Sequence, residues 1–362
     1  MIPLTQDLAA TTLELCAIPS PTGSEAELAA LVERRCLDRV GPGRVRRLGN
    51  AVIADGARQA GRPHVTLFGH LDTVPPAAEQ ELGIVGERLF GCGASDMKGG
   101  LAVMLALLGE SAPKAVDLRC VFYDREEGPA TENGLEPLLA AGLLGDTDLG
   151  ICLEPTDNRI EAGCMGSLHA KIHFLGRRGH SARPWQGDNA IYRAIDFLAR
   201  LRDLPRREVA HGELRFYEVT SATTAATANS RNVIPDRFTL NVNARFAPGR
   251  TLAEAEAELR TLIPAAAPVE VEIVDRSPSG SVHLEQPLVA AWRGRRRLAV
   301  AAKQAWTDVA RLDQYGIPAV SFGPGETSQA HQAHESIPID HLVAAYLALR
   351  DLLALDGGGE GA

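Results

Sequence analysis

Three short apolar runs that each empty into an acid or an imidazole constrain this chain most. Val65-Thr66-Leu67-Phe68 leads to His70, Leu118 to Tyr123 leads to Glu126-Glu127, and Asp148 to Leu153 leads to Glu154. Apolar runs of about four to eight residues bounded by turn residues read as strands buried on both faces. Between them Gly100 to Leu108 and Glu132 to Ala141 have the length and pattern of helices. This alternation predicts an α/β layer with helices on both faces of a sheet, and in such layers sites gather at the strand ends. The 362 residues, 45% of them hydrophobic, suffice to bury that core.

From about Ser167 the pattern changes. Leu168 to Phe174 alternates with a period of two, as a sheet wetted on one face does, and Asp188 to Leu201 has helical periodicity. Leu214 to Thr220, Phe238 to Phe246 and Val269 to Val274 add strands, and Thr251 to Leu262 reads as a helix with Thr251 as cap and Glu254 three residues on. Asp275 to Ser281 reads as an exit linker, after which Pro318 to Phe322 is again a strand and Ile339 to Leu355 an amphipathic helix. The expected organisation is therefore an α/β domain in two parts, 1–166 and 281–362, interrupted by a two-layer α+β insertion over 167–280.

The net charge of -9 argues against a chain that coats nucleic acid or an anionic membrane. The first fifteen residues carry Asp7 and Glu14 and lack the basic start and apolar run of a targeting segment, and no apolar stretch is long enough to cross a bilayer. A cytoplasmic protein is expected. Its six cysteines, Cys16, Cys36, Cys92, Cys120, Cys152 and Cys164, form no CxxC pair and read as reduced, mostly buried thiols. Any metal must then find oxygen and imidazole ligands. The glycine-rich tail Gly357 to Ala362 reads as disordered.

Five polar clusters follow predicted strands or loops. In Phe68-Gly69-His70-Leu71-Asp72, the two polar side chains point to one side of an extended chain, so Asp72 could fix the tautomer of a metal-binding His70; the plainer reading is a turn before Pro75. Asp96 closes a Gly-rich loop near a helix start, where a carboxylate either caps N–H groups or holds a cation. Glu126 and Glu127 point opposite ways in an extended chain, one toward a metal and one toward water or substrate, although an isolated pair is equally an acidic turn. Glu154 repeats the arrangement before Pro155, and the loop Gln329 to Pro338 offers two imidazoles, with His334 next to Glu335. Together His70, Asp96, Glu127, Glu154 and His334 suit a pair of zinc-like ions bridged by one carboxylate and one water.

The runs GHLDTVP, SDMKGG, the Glu-Glu pair, LEPT, GHSARP, NVIP and HES resemble, in this order, the motifs of the dinuclear zinc amidohydrolases, a family with aminoacylase, acetylornithine deacetylase, glutamate carboxypeptidase and desuccinylase branches. The resemblance spans about Leu13 to Leu349. Leu153 to Asn158, Gly179 to Gly187 and Trp306 to Arg311 look closest to the actinobacterial desuccinylases. The resemblance implies a zinc-peptidase-like α/β catalytic domain, its mixed sheet flanked by helices, with an inserted dimerisation lid. It implies two zinc ions, replaceable by cobalt: His70 and Glu154 on one, Glu127 and His334 on the other, Asp96 bridging. Glu126 would be the general base, Asp72 the orienter of His70, and His180 an oxyanion donor reaching across a homodimer. The implied reaction is loss of the succinyl group from N-succinyl-LL-2,6-diaminopimelate, with deacetylation of acetylornithine or another N-acyl amino acid as the competing reading.

A substrate with several carboxylates needs guanidinium partners. Arg183 and Arg245 are the candidates, with Asn232, Thr307 and the Gly323 backbone as neutral contacts. Many relatives carry Arg-Arg-Gly-Ser where this chain has Cys164-Met165-Gly166-Ser167, and Arg183 is expected to take the place of the missing anchor. The basic run Arg293, Arg295, Arg296 and Arg297 reads as a solvated helix face.

Overall fold

A computed structural model describes residues 2–77, 81–110, 115–264 and 268–354, and the chain forms two compact units. The first comprises Met1–Ala162, His283–Ala301 and Arg311–Ala362, and the second comprises Gly163–Val282 and Ala302–Ala310. The expected boundaries at 167 and 280 thus fall within a few residues of those found. The segment Ala302–Ala310 had been assigned to the first unit and belongs to the second. The expected exit linker starts too early, because Asp275 to Ser277 complete the strand Val269–Ser277. The glycine-rich tail lies outside the described residues.

Among the described residues the first unit is built on a sheet whose centre is parallel. His64–His70 pairs in parallel with Asp117–Tyr123 on one side and Leu149–Cys152 on the other, and Ala319–Ser321 pairs in parallel with Leu149–Cys152. The flank is antiparallel, with Ala51–Asp55 against Asp117–Tyr123 and Val45–Leu48 beyond it, so the sheet is mixed. The central strands are buried along their full length, which is why they read as continuous apolar runs and do not alternate. The helix Gly99–Leu108 is almost wholly buried. Gly69 allows its close approach: a Cβ there would lie 2.5 Å from Leu101 Cδ2 and 2.9 Å from Met104 Sδ.

The second unit is a five-stranded antiparallel sheet in the order Arg207–His211, Leu214–Ala226, Arg237–Phe246, Gly166–Leu175 and Val269–Ser277. Alternate residues Leu168, Ala170, Ile172 and Phe174 meet Leu240 and Val242 in a core closed by Phe197 and Leu201 of one helix and Leu259 of another. The second of these helices, Leu252–Leu262, starts with the expected capping box between Thr251 and Glu254. The helix expected over 188–201 is broken, running as Ala190–Arg193 and then Ile195–Asp203. All six cysteines are free thiols, five buried and Cys92 half-buried.

At the strand ends opposite His70, Arg119 is buried at 3% exposure and donates to Asp55 (2.8 Å) and Asp146 (2.7 Å). Burial alone would raise Asp146, but the bonds and charge of Arg119, joined by Arg58, hold its carboxyl down at about 2. A depressed carboxyl contributes stability above its unfolded value of about 4, and that contribution is lost as pH falls toward 2. Urea unfolding of wild type and Asp146→Asn should therefore show a midpoint gap that shrinks from about pH 5 to pH 2. A gap independent of pH would remove this role.

Candidate metal centre

The parallel register sets the site. His70 pairs with Tyr123 and Phe68 with Cys152, so the residues that follow Tyr123 and Cys152 leave the sheet beside His70. Glu126, Glu127 and Glu154 therefore emerge next to an imidazole that is itself only 1% exposed. Its Nδ1 lies 2.9 Å from the main-chain oxygen of Asp72, which makes Nδ1 the protonated nitrogen and turns Nε2 toward Asp96 Oδ1, 3.2 Å away.

Asp72 orients His70 in a way the sequence does not suggest. The backbone carbonyl of Asp72 makes the close contact, whereas its carboxylate Oδ1 stands 3.6 Å from Nδ1. That fully buried carboxylate accepts the main-chain N–H of Glu126 at 2.9 Å, the N–H of Glu127 at 3.0 Å and the hydroxyl of Thr22 at 2.9 Å. One side chain thus fixes the peptide that carries both glutamates.

Asp96 sits in a distorted turn at Ala94–Lys98, with a cis peptide to Met97. Its position is set by Glu335, which sequence reasoning left without a role. Glu335 is 3% exposed and accepts N–H groups from Gly93 (2.7 Å), Ser95 (2.8 Å) and Asp96 (2.8 Å). Burial pushes its carboxyl up to about 7, against the N–H groups of Asp96 and Gly93. An acid immediately after His334, paired with a Gly-rich loop full of unsatisfied donors, is the signal that could have found it.

The imidazole that joins Asp96 and Glu127 is that of His331, and the expectation for His334 is corrected. His331 Nε2 is 2.9 Å from Glu127 Oε1 and 3.7 Å from Asp96 Oδ2. His334 is exposed and belongs to none of the ligand groups among the described residues. Glu335 points inward just before the strand Ser336–Pro338, while His334, in the turn that precedes it, stays on the surface. His331 turns inward through a left-handed conformation, φ 63°, which sequence alone does not announce.

Three overlapping sets of potential ligand atoms result, each within 4.8 Å: His70, Asp96 and Glu154; His70, Glu126 and Glu127; and Asp96, Glu127 and His331. Burial disfavours charge on His70, yet Asp96, then Glu154, Glu126 and Asp72, hold its proton well above the ordinary range. Glu127 is raised by burial and by Asp96, with His70 and His331 opposing. A cluster this rich in carboxylate oxygens and imidazole nitrogens, buried around His70 and open at His331, with no thiolate among its groups, fits hard-to-borderline dications, which would compete with those protons.

Apart from Gly323, the expected substrate contacts belong to the second unit. In the second unit His180, Arg183 and Asn232 come together: His180 pairs with Val233, Ser181 N–H donates to the Asn232 oxygen at 3.0 Å, and Arg183 N–H donates to the His180 oxygen at 2.9 Å. All three are exposed. Arg245 is half-buried on the sheet, and Thr307 is buried with its main-chain oxygen 3.7 Å from the Cys164 thiol. Gly323, in the first unit, is corrected as a backbone donor to substrate, because its N–H already goes to Thr156 Oγ1 at 3.0 Å. Its part is spatial: a Cβ there would lie 2.5 Å from the main-chain oxygens of Leu153 and Glu154. Of the basic run, Arg296 pairs with Asp351 on the surface, and nothing in the structure makes the run a site.

Residues 66–355 match peptidase family M20/M25/M40. The chain belongs to this family. It is 37% identical over 356 residues to a putative succinyl-diaminopimelate desuccinylase of Mycobacterium tuberculosis, covering 98% of this chain and 99% of that one. It is 35% identical to the succinyl-diaminopimelate desuccinylase of Corynebacterium glutamicum, covering 95% of each. A tripeptidase of Staphylococcus aureus shares the M20 fold at a TM-score of 0.78, with 19% identity and 98% of both chains covered. No helix among the described residues is long and apolar enough to cross a membrane.

The placement of the two histidines gives an immediate test. In zinc titrations of metal-stripped protein, His331→Ala should weaken one of two binding events by at least about tenfold, the scale of losing a metal-site group. His334→Ala should leave both unchanged; the reverse pattern would restore His334 as the ligand.

Proposed function

We propose that this M20-family hydrolase is a zinc enzyme that removes the succinyl group from N-succinyl-LL-2,6-diaminopimelate, giving succinate and LL-2,6-diaminopimelate in the cytoplasm. The chemistry rests on the three overlapping ligand sets around His70, Asp96 and Glu127. The substrate rests on the two near-full-length relatives that carry that name.

In this reading His70 and Glu154 would hold one ion and Glu127 and His331 the other, with Asp96 within reach of both sets, and cobalt could replace zinc. Two such ions would supply Lewis acidity toward the amide carbonyl and lower the pKa of the attacking water toward neutrality. Glu126 takes the proton from that water and returns it to the leaving amine, so that water is divided between the succinate and amine products. Its half-buried position beside Glu127, on a main chain clamped by Asp72, supports a base held in one place. Arg245 and Arg183 are the anchors for substrate carboxylates, with Asn232 and Thr307 as neutral contacts and His180 as the oxyanion donor.

A homodimer through the second unit is part of the proposal. The strand Leu214–Ala226 is covered by Arg207–His211 only as far as Glu218, which leaves Val219 to Ala226 as an uncharged outer edge able to pair with another chain. Exposed Trp185, Tyr192, Ile195 and Val219 in the same unit add apolar surface that an interface would cover.

Two experiments test these statements. Glu126→Gln should keep both ions by metal analysis while kcat falls at least about a hundredfold, the scale of losing a general base. Run on the metal-loaded wild type, the same assay should give a higher kcat/KM for N-succinyl-LL-diaminopimelate than for acetylornithine. Preference for acetylornithine, or near-normal turnover by Glu126→Gln, would overturn the substrate or the base respectively. For the dimer, mixing inactive His180→Ala and Glu126→Gln chains should restore activity if His180 serves the partner's site. Demonstrated chain exchange without recovery would exclude that role.

A further inference from the structure

The wet face of the second unit's sheet carries a chain of polar contacts that ends on Arg245. Arg245 Nε donates to Asn243 Oδ1 at 3.0 Å. The amide nitrogen of Asn243 lies 3.0 Å from His169 Nε2 and 3.1 Å from Ser167 Oγ. On the other side of the imidazole, the Asn241 amide is 3.1 Å from His169 Nδ1 and 2.6 Å from Thr223 Oγ1. Thr223 reaches in because it occupies a bulge between Ala222 and Thr224. Arg245 is half-buried, and Asp275 is the carboxylate that acts on it.

Elementary donor counting fixes the order of protons along this chain. A guanidinium only donates, so Asn243 must show Arg245 its oxygen and show His169 its NH2 group. His169 Nε2 is then an acceptor, which puts the ring proton on Nδ1; Asn241, whose Nδ2 faces Nδ1 and donates to Thr223 Oγ1, must then turn its amide over so that its oxygen accepts from both. Protonation of His169 would put a second N–H against the Asn243 NH2 group. Asn243 would have to turn over, withdrawing its oxygen from Arg245.

We propose that Asn243 is a positioning residue that, set by neutral His169, holds the Arg245 guanidinium for a substrate carboxylate and releases it when His169 gains a proton. The inference rests on reading Arg245 as a carboxylate anchor. The groups facing His169 are Asp275 from one neighbouring strand and Arg245 from the other, with Lys171 and His173 on its own strand and the uncharged Thr223 beyond Asn241. Burial, followed in effect by Asp275 in the opposite sense and Arg245 in the same sense, leaves His169 below the ordinary histidine range. The neutral form that the hydrogen-bond order calls for is thereby favoured over the charged one.

The test is steady-state kinetics on N-succinyl-LL-diaminopimelate with metal-loaded enzyme. At about pH 8, Arg245→Ala and Asn243→Ala should each raise KM roughly tenfold, the scale of one charge-assisted hydrogen bond, with kcat within about twofold. The double variant should be no worse than Arg245→Ala alone, because both changes remove the same interaction. Wild-type KM should rise several-fold on going to about pH 5.5, and His169→Gln, which accepts from Asn243 but does not titrate, should abolish that rise. Should Asn243→Ala fail to fold, Asn243→Ser carries the same expectations. If Arg245→Ala leaves KM unchanged, the anchor reading fails. If Arg245→Ala raises KM while the Asn243 variant does not, or their effects add, the positioning inference fails and the anchor stands. An acid rise that persists in His169→Gln overturns the proton control.

Discussion

The two hydrogen bonds from the Glu126 and Glu127 N–H groups to the buried Asp72 carboxylate are the contact on which the metal centre depends. Carboxylates packed this closely repel one another, and the main chain that carries them would move apart unless something held it. Asp72 supplies that restraint with its side chain while its carbonyl sets the tautomer of His70, so both glutamates and the imidazole are aligned from one residue. Glu335 performs the same service for Asp96 by gathering three main-chain N–H groups. Glu126, Glu127 and Asp96 thus each have an outer carboxylate that holds their main chain.

Such an arrangement has an electrostatic consequence. The groups that hold the site together are acids, and burial has stripped most of the water from them, so a dication would relieve both repulsion and desolvation. Against the effect of burial, His70 holds its proton above the ordinary range because Asp96, Glu154, Glu126 and Asp72 surround it. The ion-binding character of the centre is therefore written into the folding of the loops as much as into the ligands themselves.

The sequence reveals the strands that end at the site because burial on both faces leaves continuous apolar runs, and His70, Glu126, Glu127 and Glu154 follow from where those runs stop. It reveals Asp96 less directly, through a Gly-rich loop. The choice between His331 and His334 was not legible: it depends on a left-handed turn at His331 and on which way Glu335 faces, and neither leaves a periodic trace. Gly323 misled for a related reason, since a glycine near a site reads equally as a donor or as room for a neighbouring backbone. The return of Ala302–Ala310 to the second unit was hidden because membership of a unit is decided by long-range contact, not by composition.

Cys164-Met165, where the resemblance would place Arg-Arg, bears on how this chain handles anions. Cys164 and Met165 are fully buried, so no surface cation has simply been exchanged for another at that place. A half-buried guanidinium such as Arg245 pays a desolvation cost that an exposed arginine does not, and it binds an anion well only if its orientation is already fixed. The Asn243 contact, backed by His169, provides that orientation through uncharged side chains and adds no carboxylate to Asp275, which already acts on Arg245. Around Arg245 the asparagine, serine and histidine of this face therefore fix the guanidinium by hydrogen bonds from uncharged groups.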